Sequence, residues 1–136
     1  MTRSLLTGLV LASLLGCRAA AERAVVQPLP DDTPPQPFID LLSRARLQAM
    51  AANEAFYVDQ WSDLDDAARS LEQSARFLHQ AKDVPVNRKA SLDSRADQLG
   101  AQAVQLRQAA KNRDVTQTNA TLQRIHMIVR ELRSEG

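Results

Sequence analysis

Leucine and alanine recur at steps of three and four residues through most of this chain, and this spacing constrains the fold more than any other feature. It places apolar side chains on one face of an α-helix. The most regular stretch is Leu92, Ala96, Leu99, Ala103, Leu106 and Ala110. No segment alternates β-branched residues as a strand requires. The pattern therefore predicts an all-α protein.

Breaks in the pattern divide the chain into four helices, predicted at about 37–59, 63–82, 86–111 and 115–134. Pro85 separates the second from the third. We expect Ser62, with Asp65, to cap the second helix and Asp114 to cap the fourth. The remaining stripes are Phe38, Leu42, Ala45, Ala49, Ala52 and Phe56; Leu64, Ala68, Leu71, Ala75, Leu78 and Ala81; and Thr118, Leu122, Ile125, Val129 and Leu132. Similar lengths and short turns predict an up-down-up-down antiparallel four-helix bundle over residues 37–136.

The first seventeen residues have the layout of an export signal. Arg3 provides a basic start, and the apolar run that follows it is too short to span a bilayer but fits a signal-peptide core. The run ends in Leu14-Leu15-Gly16-Cys17, which resembles the lipobox of bacterial lipoproteins. The resemblance implies that residues 1–16 are cleaved and that Cys17 is acylated. An ordinary secretory signal with a nearby cysteine is the alternative.

An acylated Cys17 would make the membrane a partner of this chain. Arg18 follows it, and by resemblance to lipoprotein sorting the lack of aspartate there implies the outer membrane of the bacterial cell envelope, with the domain facing the periplasm. Residues 17–36 would then be a tether, containing Pro28, Pro30, Pro34 and Pro35. Because proline fixes φ and lacks a donor, we expect an extended, largely unpacked segment reaching up to ~60 Å.

Charge and cysteine content exclude several classes of function. The chain has 17 Lys and Arg against 16 Asp and Glu, and Arg3 is the only charged residue in positions 1–16. The remainder is therefore balanced, which argues against nucleic acid as a partner. A single cysteine excludes an intramolecular disulfide and a cysteine-rich metal site.

The layout of the predicted bundle resembles the cytochrome c-prime and soluble b-type cytochrome families. Three stretches carry the resemblance, namely Trp61-Ser62-Asp63-Leu64, Gln108-Ala109-Ala110-Lys111 and Asp114 at the start of the fourth helix. It covers roughly residues 38–134 and implies a bundle of that architecture.

The haem ligands of those families do not carry over. The c-prime Cys-x-x-Cys-His motif would fall near Val129-Arg130-Glu131-Leu132-Arg133, which has no cysteine or histidine. The b-type methionine would fall within Phe38-Ile39-Asp40-Leu41-Leu42, and the b-type histidine near Arg133. We therefore expect no cofactor. The haem end should instead be filled by Phe38, Leu42, Phe77, Leu78, Val129 and Leu132.

A few residues suggest sharper hypotheses. His126 is the one weak candidate for a metal or haem ligand, although we interpret it as a half-buried histidine beside the core stripe. His79 is expected to pair with helix-end carbonyls, and Met50 to pack. Serine, histidine and aspartate occur without the spacing of a nucleophilic site, so we expect no enzyme.

The acidic residues near the first turn, Glu54, Asp59, Asp63, Asp65 and Asp66, are expected to be solvated, and Phe56, Tyr57 and Trp61 to plug that end. The sequence thus predicts an envelope lipoprotein whose cofactor-free bundle is structural or binds an unknown protein partner. The alternative is a haem or metal protein with ligands outside the family pattern, for electron transfer or small-ligand binding. A periplasmic chaperone would need a concave apolar face, and the stripes are expected to be used in self-packing.

Overall fold

A computed structural model describes residues 27–134 of the 136-residue chain. The predicted signal peptide, Cys17 and the first part of the tether lie outside the described residues. Four helices follow one another: α1 (Phe38–Tyr57), α2 (Trp61–Leu78), α3 (Val86–Asn112) and α4 (Val115–Ser134). Each helix packs against the next, and α4 packs against α1, which closes the ring. The predicted all-α up-down four-helix bundle is confirmed.

The connection between α1 and α2 differs from the prediction. α2 begins at Trp61, before Ser62, and no side chain caps it. Asp59 adopts a left-handed φ of 59°, which aspartate tolerates better than most residues. The Trp61 indole N–H donates a hydrogen bond to Asp59 Oδ1 over 2.5 Å. This tight turn restarts the helix too early for the predicted Ser62 cap to form.

The predicted end of α2 is wrong, whereas the predicted cap at the start of α4 is confirmed. α2 was predicted to run to Lys82 but ends at Leu78. The Lys82 backbone instead pairs with the segment before α1, accepting from Phe38 N–H and donating to Gln36 O. The predicted cap of α4 does form, since the Gln117 backbone N–H donates to Asp114 Oδ1 over 2.9 Å.

The bundle core contains the predicted stripes of α2, α3 and α4, and their members are buried except Ala81, which lies beyond the end of α2 and is only partly buried. The residues expected to fill the haem end are buried as well, except Phe38, which is partly buried against the core. The buried face of α1 differs from the predicted stripe, because Leu41 and Ala55 are buried while Phe56 is only partly buried. The inward face of α1 is thus rotated slightly from the predicted one.

A polar pair, which sequence reasoning missed, lies inside this apolar core. Gln48 of α1 is fully buried and accepts a hydrogen bond from Ser74 Oγ of α2 over 2.8 Å. Its Nε2 finds no hydrogen-bond partner among the described residues.

The described part of the proline-rich segment, residues 27–37, is hereafter called the arm, and it lies against α1 and α2. Leu29 N–H donates to Gln73 Oε1 over 2.7 Å, and Gln73 Nε2 donates to Leu29 O over 2.6 Å. Arg44 donates to the Gln27 carbonyl oxygen. We expected this stretch to be unpacked. It packs because Leu29, set between two prolines, keeps both a backbone donor and an apolar side chain that contacts the core.

Candidate functional site

A shallow groove of about 1500 Å³ lies along the outer side of α1, bordered by α2, the arm and one residue of α4. We call it the α1 groove. Its apolar floor consists of Leu47, Met50, Ala51 and Ala55 of α1 and of Val58, which directly follows the helix. Gln27 and Pro28 of the arm border it, and His126 contributes from α4. The arm thus binds to the bundle and also forms part of this concave surface.

The floor of the α1 groove is a second apolar stripe on a helix whose first stripe is already used in the core. Leu47, Met50 and Val58 are 40%, 53% and 55% exposed, which is high for side chains of this size. They lie at positions 47, 50 and 58, and Glu54 fills the intervening step, so the four share one helical face. These side chains line a concave surface that also has polar borders, which makes the surface a candidate for binding a partner.

The rim of the groove is acidic. Glu54 of α1 and Asp63 and Asp66 of α2 border it, and none of the three forms an ion pair with any residue from 27 to 134. Arg69 also borders the groove, but it is paired with Asp65 over 3.0 Å. The local charge of the groove is therefore negative, although the chain as a whole is nearly neutral.

Met50 and His126, two of the residues singled out from the sequence, line this same groove. Met50 was expected to pack inside the bundle, and this prediction was wrong, because its side chain is more than half exposed. His126 was expected to be half-buried, and it is exposed. Both lie on the outer faces of their helices, because the inward faces of α1 and α4 are filled by other side chains.

His79 occupies a different environment, between α2 and α3. Its Nδ1 lies 3.0 Å from Asp93 Oδ1 and its Nε2 lies 2.9 Å from Asp97 Oδ1. Lys89 donates to Asp93 and also to the His79 carbonyl oxygen. The hydrogen bond from Lys89, with a second from His79, holds the pKa of Asp93 below its usual range against the opposing effect of burial. The cluster ties two helices together.

A second ion cluster joins the same two helices further along. Arg107 of α3 donates to Glu72 over 2.9 Å and lies 3.4 Å from Asp65. The hydrogen bond to Glu72 and the nearby Asp65 charge raise the pKa of Arg107 against the opposing effect of burial. Asp65 was expected to be solvated, and it is instead only partly exposed and paired with two arginines.

The aromatic residues of the α1–α2 turn partly form the predicted end plug. Phe56 and Trp61 are partly buried against the core with ring centroids 5.9 Å apart. Tyr57 is mostly exposed and covers little of the core. At the other end of the bundle, Phe38, Val84, Pro85 and Leu92 line a smaller apolar pocket of about 230 Å³.

Two further observations concern the described part of the chain. No cluster of three or more histidine, cysteine, aspartate or glutamate residues there is arranged to hold a metal ion. Among residues 27–134, no helix combines the length and hydropathy that crossing a membrane would need.

Comparison of the chain with protein-family models, with curated proteins and with solved structures yields no match.

Proposed function

We propose that the chain is a bacterial envelope lipoprotein, anchored through Cys17, whose helical bundle binds a protein partner without a cofactor and without catalysis. The observation that carries the partner-binding part is the second, exposed apolar stripe of α1, because a bundle that served only as a spacer would gain nothing from it. The anchoring part rests on the resemblance of Leu14-Leu15-Gly16-Cys17 to a lipobox.

Metabolic labelling in a bacterial host with a two-membrane envelope tests the anchor. The full chain should incorporate a clickable palmitate analogue and sediment with the outer-membrane fraction. Cys17→Ser should lose the label and stay unprocessed, while Arg18→Asp should keep the label and move to the inner-membrane fraction. A full chain that is cleaved and released unlabelled into the periplasm would refute the anchor and favour an ordinary secretory signal.

One observation favours a second candidate function. Met50 and His126 line a common groove, and a methionine and a histidine ligate the haem iron in the soluble b-type cytochromes whose layout the bundle resembles. The acidic rim argues against this function, because Glu54, Asp63 and Asp66 give the groove a negative charge that disfavours the anionic propionates of haem. Titrating the purified chain with haemin decides between them: haem binding should shift the Soret band and vanish in His126→Ala, whereas a bundle without cofactor should leave the free-haemin spectrum unchanged.

A further inference from the structure

The exposed stripe of α1 defines the shape of what could cover it. From Leu47 to Val58, the residue after the end of α1, the stripe covers eleven residue steps, which at 1.5 Å per step is about 16 Å. This length matches about three turns of a second helix laid alongside. Because both the floor and its neighbour α2 are helical surfaces, a partner that presents apolar side chains at steps of three and four would match them.

We propose that the α1 groove is the docking site for a cationic amphipathic helix of about three turns from a partner protein. This proposal deepens the proposed function, since it gives the chemistry of the partner. The apolar face of the partner helix would cover Leu47, Met50 and Val58, and its flanking lysine or arginine residues would face Glu54, Asp63 and Asp66.

The electrostatics of the groove select among possible occupants. Glu54 interrupts the apolar floor, and Asp63 and Asp66 border it. None of the three forms an ion pair with the described residues, so desolvating the groove with a neutral or acidic partner would bury uncompensated charge. The same charges repel an anionic lipid surface. A basic helix compensates them and gains both steering and specificity.

Two features of the groove suit a helix in particular. Met50 lies at the centre of the stripe, and the flexible thioether adapts to the side chains of a partner. The arm is tied to α1 and α2 through Arg44 and Gln73, so one border of the groove is held in place before binding. A border that is already ordered lowers the entropic cost of association.

Binding of designed peptides tests the proposal. The protein is the chain downstream of the signal, residues 17–136 with Cys17→Ser, so that acylation and detergent play no part. The probe is a fluorescein-labelled 14-residue helical peptide with leucine at positions 3, 7, 10 and 14 and lysine at its flanks; the matched probe has glutamate for lysine. Fluorescence anisotropy should detect binding of the lysine peptide alone, weakening with added salt.

Variants then locate the binding surface. Met50→Glu should weaken binding about tenfold or more, and the pair Asp63→Lys with Asp66→Lys should do the same. Met127→Glu is the matched control, because Met127 is 48% exposed and lies on α4 outside the groove. Asp32→Lys in the arm is the matched charge control. Both controls should leave the affinity within about twofold of the parent. Circular dichroism checks that every variant keeps its helices.

Four results would overturn the proposal. Equal binding of the two peptides would show that the carboxylates do not select the partner. Equal weakening of binding by Met127→Glu and by Met50→Glu would show that the peptide does not bind specifically at the α1 groove. A dimer that Met50→Glu dissociates would show that a second copy of this chain fills the groove. Higher peptide affinity after deletion of residues 18–26 would show that this chain's own upstream segment competes for it. Failure of acylation would refute the anchor but leave every peptide result unchanged.

Discussion

Gly100 lies inside α3, where glycine normally lowers helix stability. A Cβ placed on it would lie 3.5 Å from the Cβ of Ala75 in α2, which is an ordinary van der Waals contact. The helices therefore do not require glycine at this crossing. We predict that Gly100→Ala raises the free energy of unfolding by about 0.5–1 kcal/mol, as measured by urea denaturation.

Ala101→Gly is the matched control for this prediction, because Ala101 is an exposed neighbour in the same helix. It should lower the free energy of unfolding by about the same amount. If Gly100→Ala destabilised the bundle while Ala101→Gly behaved as expected, the α2–α3 crossing would be closer than a methyl group allows.

Asp93 gives the bundle a specific dependence on acid. Its pKa is held low by Lys89 and His79, so the folded state binds a proton there less readily than the unfolded chain does. Its contribution to stability is complete above the unfolded pKa of about 3.9 and is lost as pH falls through the lowered folded value. Asp93→Asn should therefore flatten the fall of the unfolding free energy below about pH 4.

The measurement is urea denaturation at a series of pH values. Asp63→Asn is the control, because Asp63 is exposed and forms no ion pair with any residue from 27 to 134, and it should retain the parent's acid slope. A parallel loss of stability in the parent and in Asp93→Asn would contradict the role of the Lys89 and His79 contacts.

Local chemistry explains which single residues could be foreseen. Asp114 follows a clear break and its cap forms as predicted, because the signal lies within four residues. Ser62 had an equally good local pattern and failed, because Asp59 closed the preceding turn with a left-handed backbone. Burial of Gln48 depends on Ser74, 26 residues away, and no local pattern reveals such a partner.

At the scale of the helices, the polar pair between α1 and α2 offers a test of coupling. Ser74→Ala removes the only hydrogen-bond donor that Gln48 has in the described structure, and should cost about 1–3 kcal/mol because a buried amide is left unpaired. Gln48→Met should cost less, since it removes the buried Nε2 that lacks a partner, and the Ser74 hydroxyl left behind can donate to a carbonyl of its own helix. In the Gln48→Met background, Ser74→Ala should cost less than in the parent.

Thermal and urea denaturation of the four proteins completes this double-mutant cycle. A coupling energy of about 1 kcal/mol is expected for two groups in direct contact. Additive effects of the two substitutions would instead place the cost of Ser74→Ala in packing and contradict the hydrogen bond as its cause.

The α1 groove marks the limit of what helical periodicity predicts from this sequence. Periodicity identified the inward faces of α2, α3 and α4, because each of these helices has one dominant apolar stripe. α1 is apolar on two faces, so its inward residues were predicted only in part, and Leu47 and Val58 were not recognised as a surface. The signal was present, since positions 47, 50, 54 and 58 share a face, but only packing shows which of two stripes is left outside.

The arm is held to the bundle chiefly by Gln73, whose amide pairs with both backbone groups of Leu29. Gln73→Ala removes both hydrogen bonds and should lower the free energy of unfolding by about 1–3 kcal/mol. Hydrogen exchange should accelerate at the Leu29 amide and remain slow in the core of α3. Gln80→Ala, at an exposed site beyond the end of α2, is the control and should leave the Leu29 amide protected.

At the scale of the whole molecule, charge is distributed unevenly although its sum is near zero. The border between α1 and α2 carries the unpaired carboxylates of the groove. The outer surface of α4 carries Arg124 and Arg130, which are exposed and form no ion pair with described residues. This asymmetry means that a charged surface would orient the domain, so an anionic membrane would attract the α4 side and repel the groove.

Binding of the arm also sets how far the bundle can move from its anchor. With the arm bound, the chain between Cys17 and the bundle is residues 18–26, and these nine residues span at most ~32 Å. A free tether would reach about twice as far, ~60 Å. We therefore predict that releasing the arm increases the mean distance between bundle and membrane.

Energy transfer measures this distance on the acylated protein in vesicles. A cysteine placed at the exposed Asn119 of α4 would be the only free thiol, since acylation occupies Cys17, and can carry the donor dye opposite a headgroup acceptor. Transfer should fall in Gln73→Ala and stay at the parent level in Gln80→Ala. Unchanged transfer in Gln73→Ala, in a sample whose Leu29 amide exchanges freely, would mean that the arm does not limit the reach of the domain. A chain without lipid would instead remain off the vesicles altogether, so the loss of anchoring is distinguished from the loss of the arm.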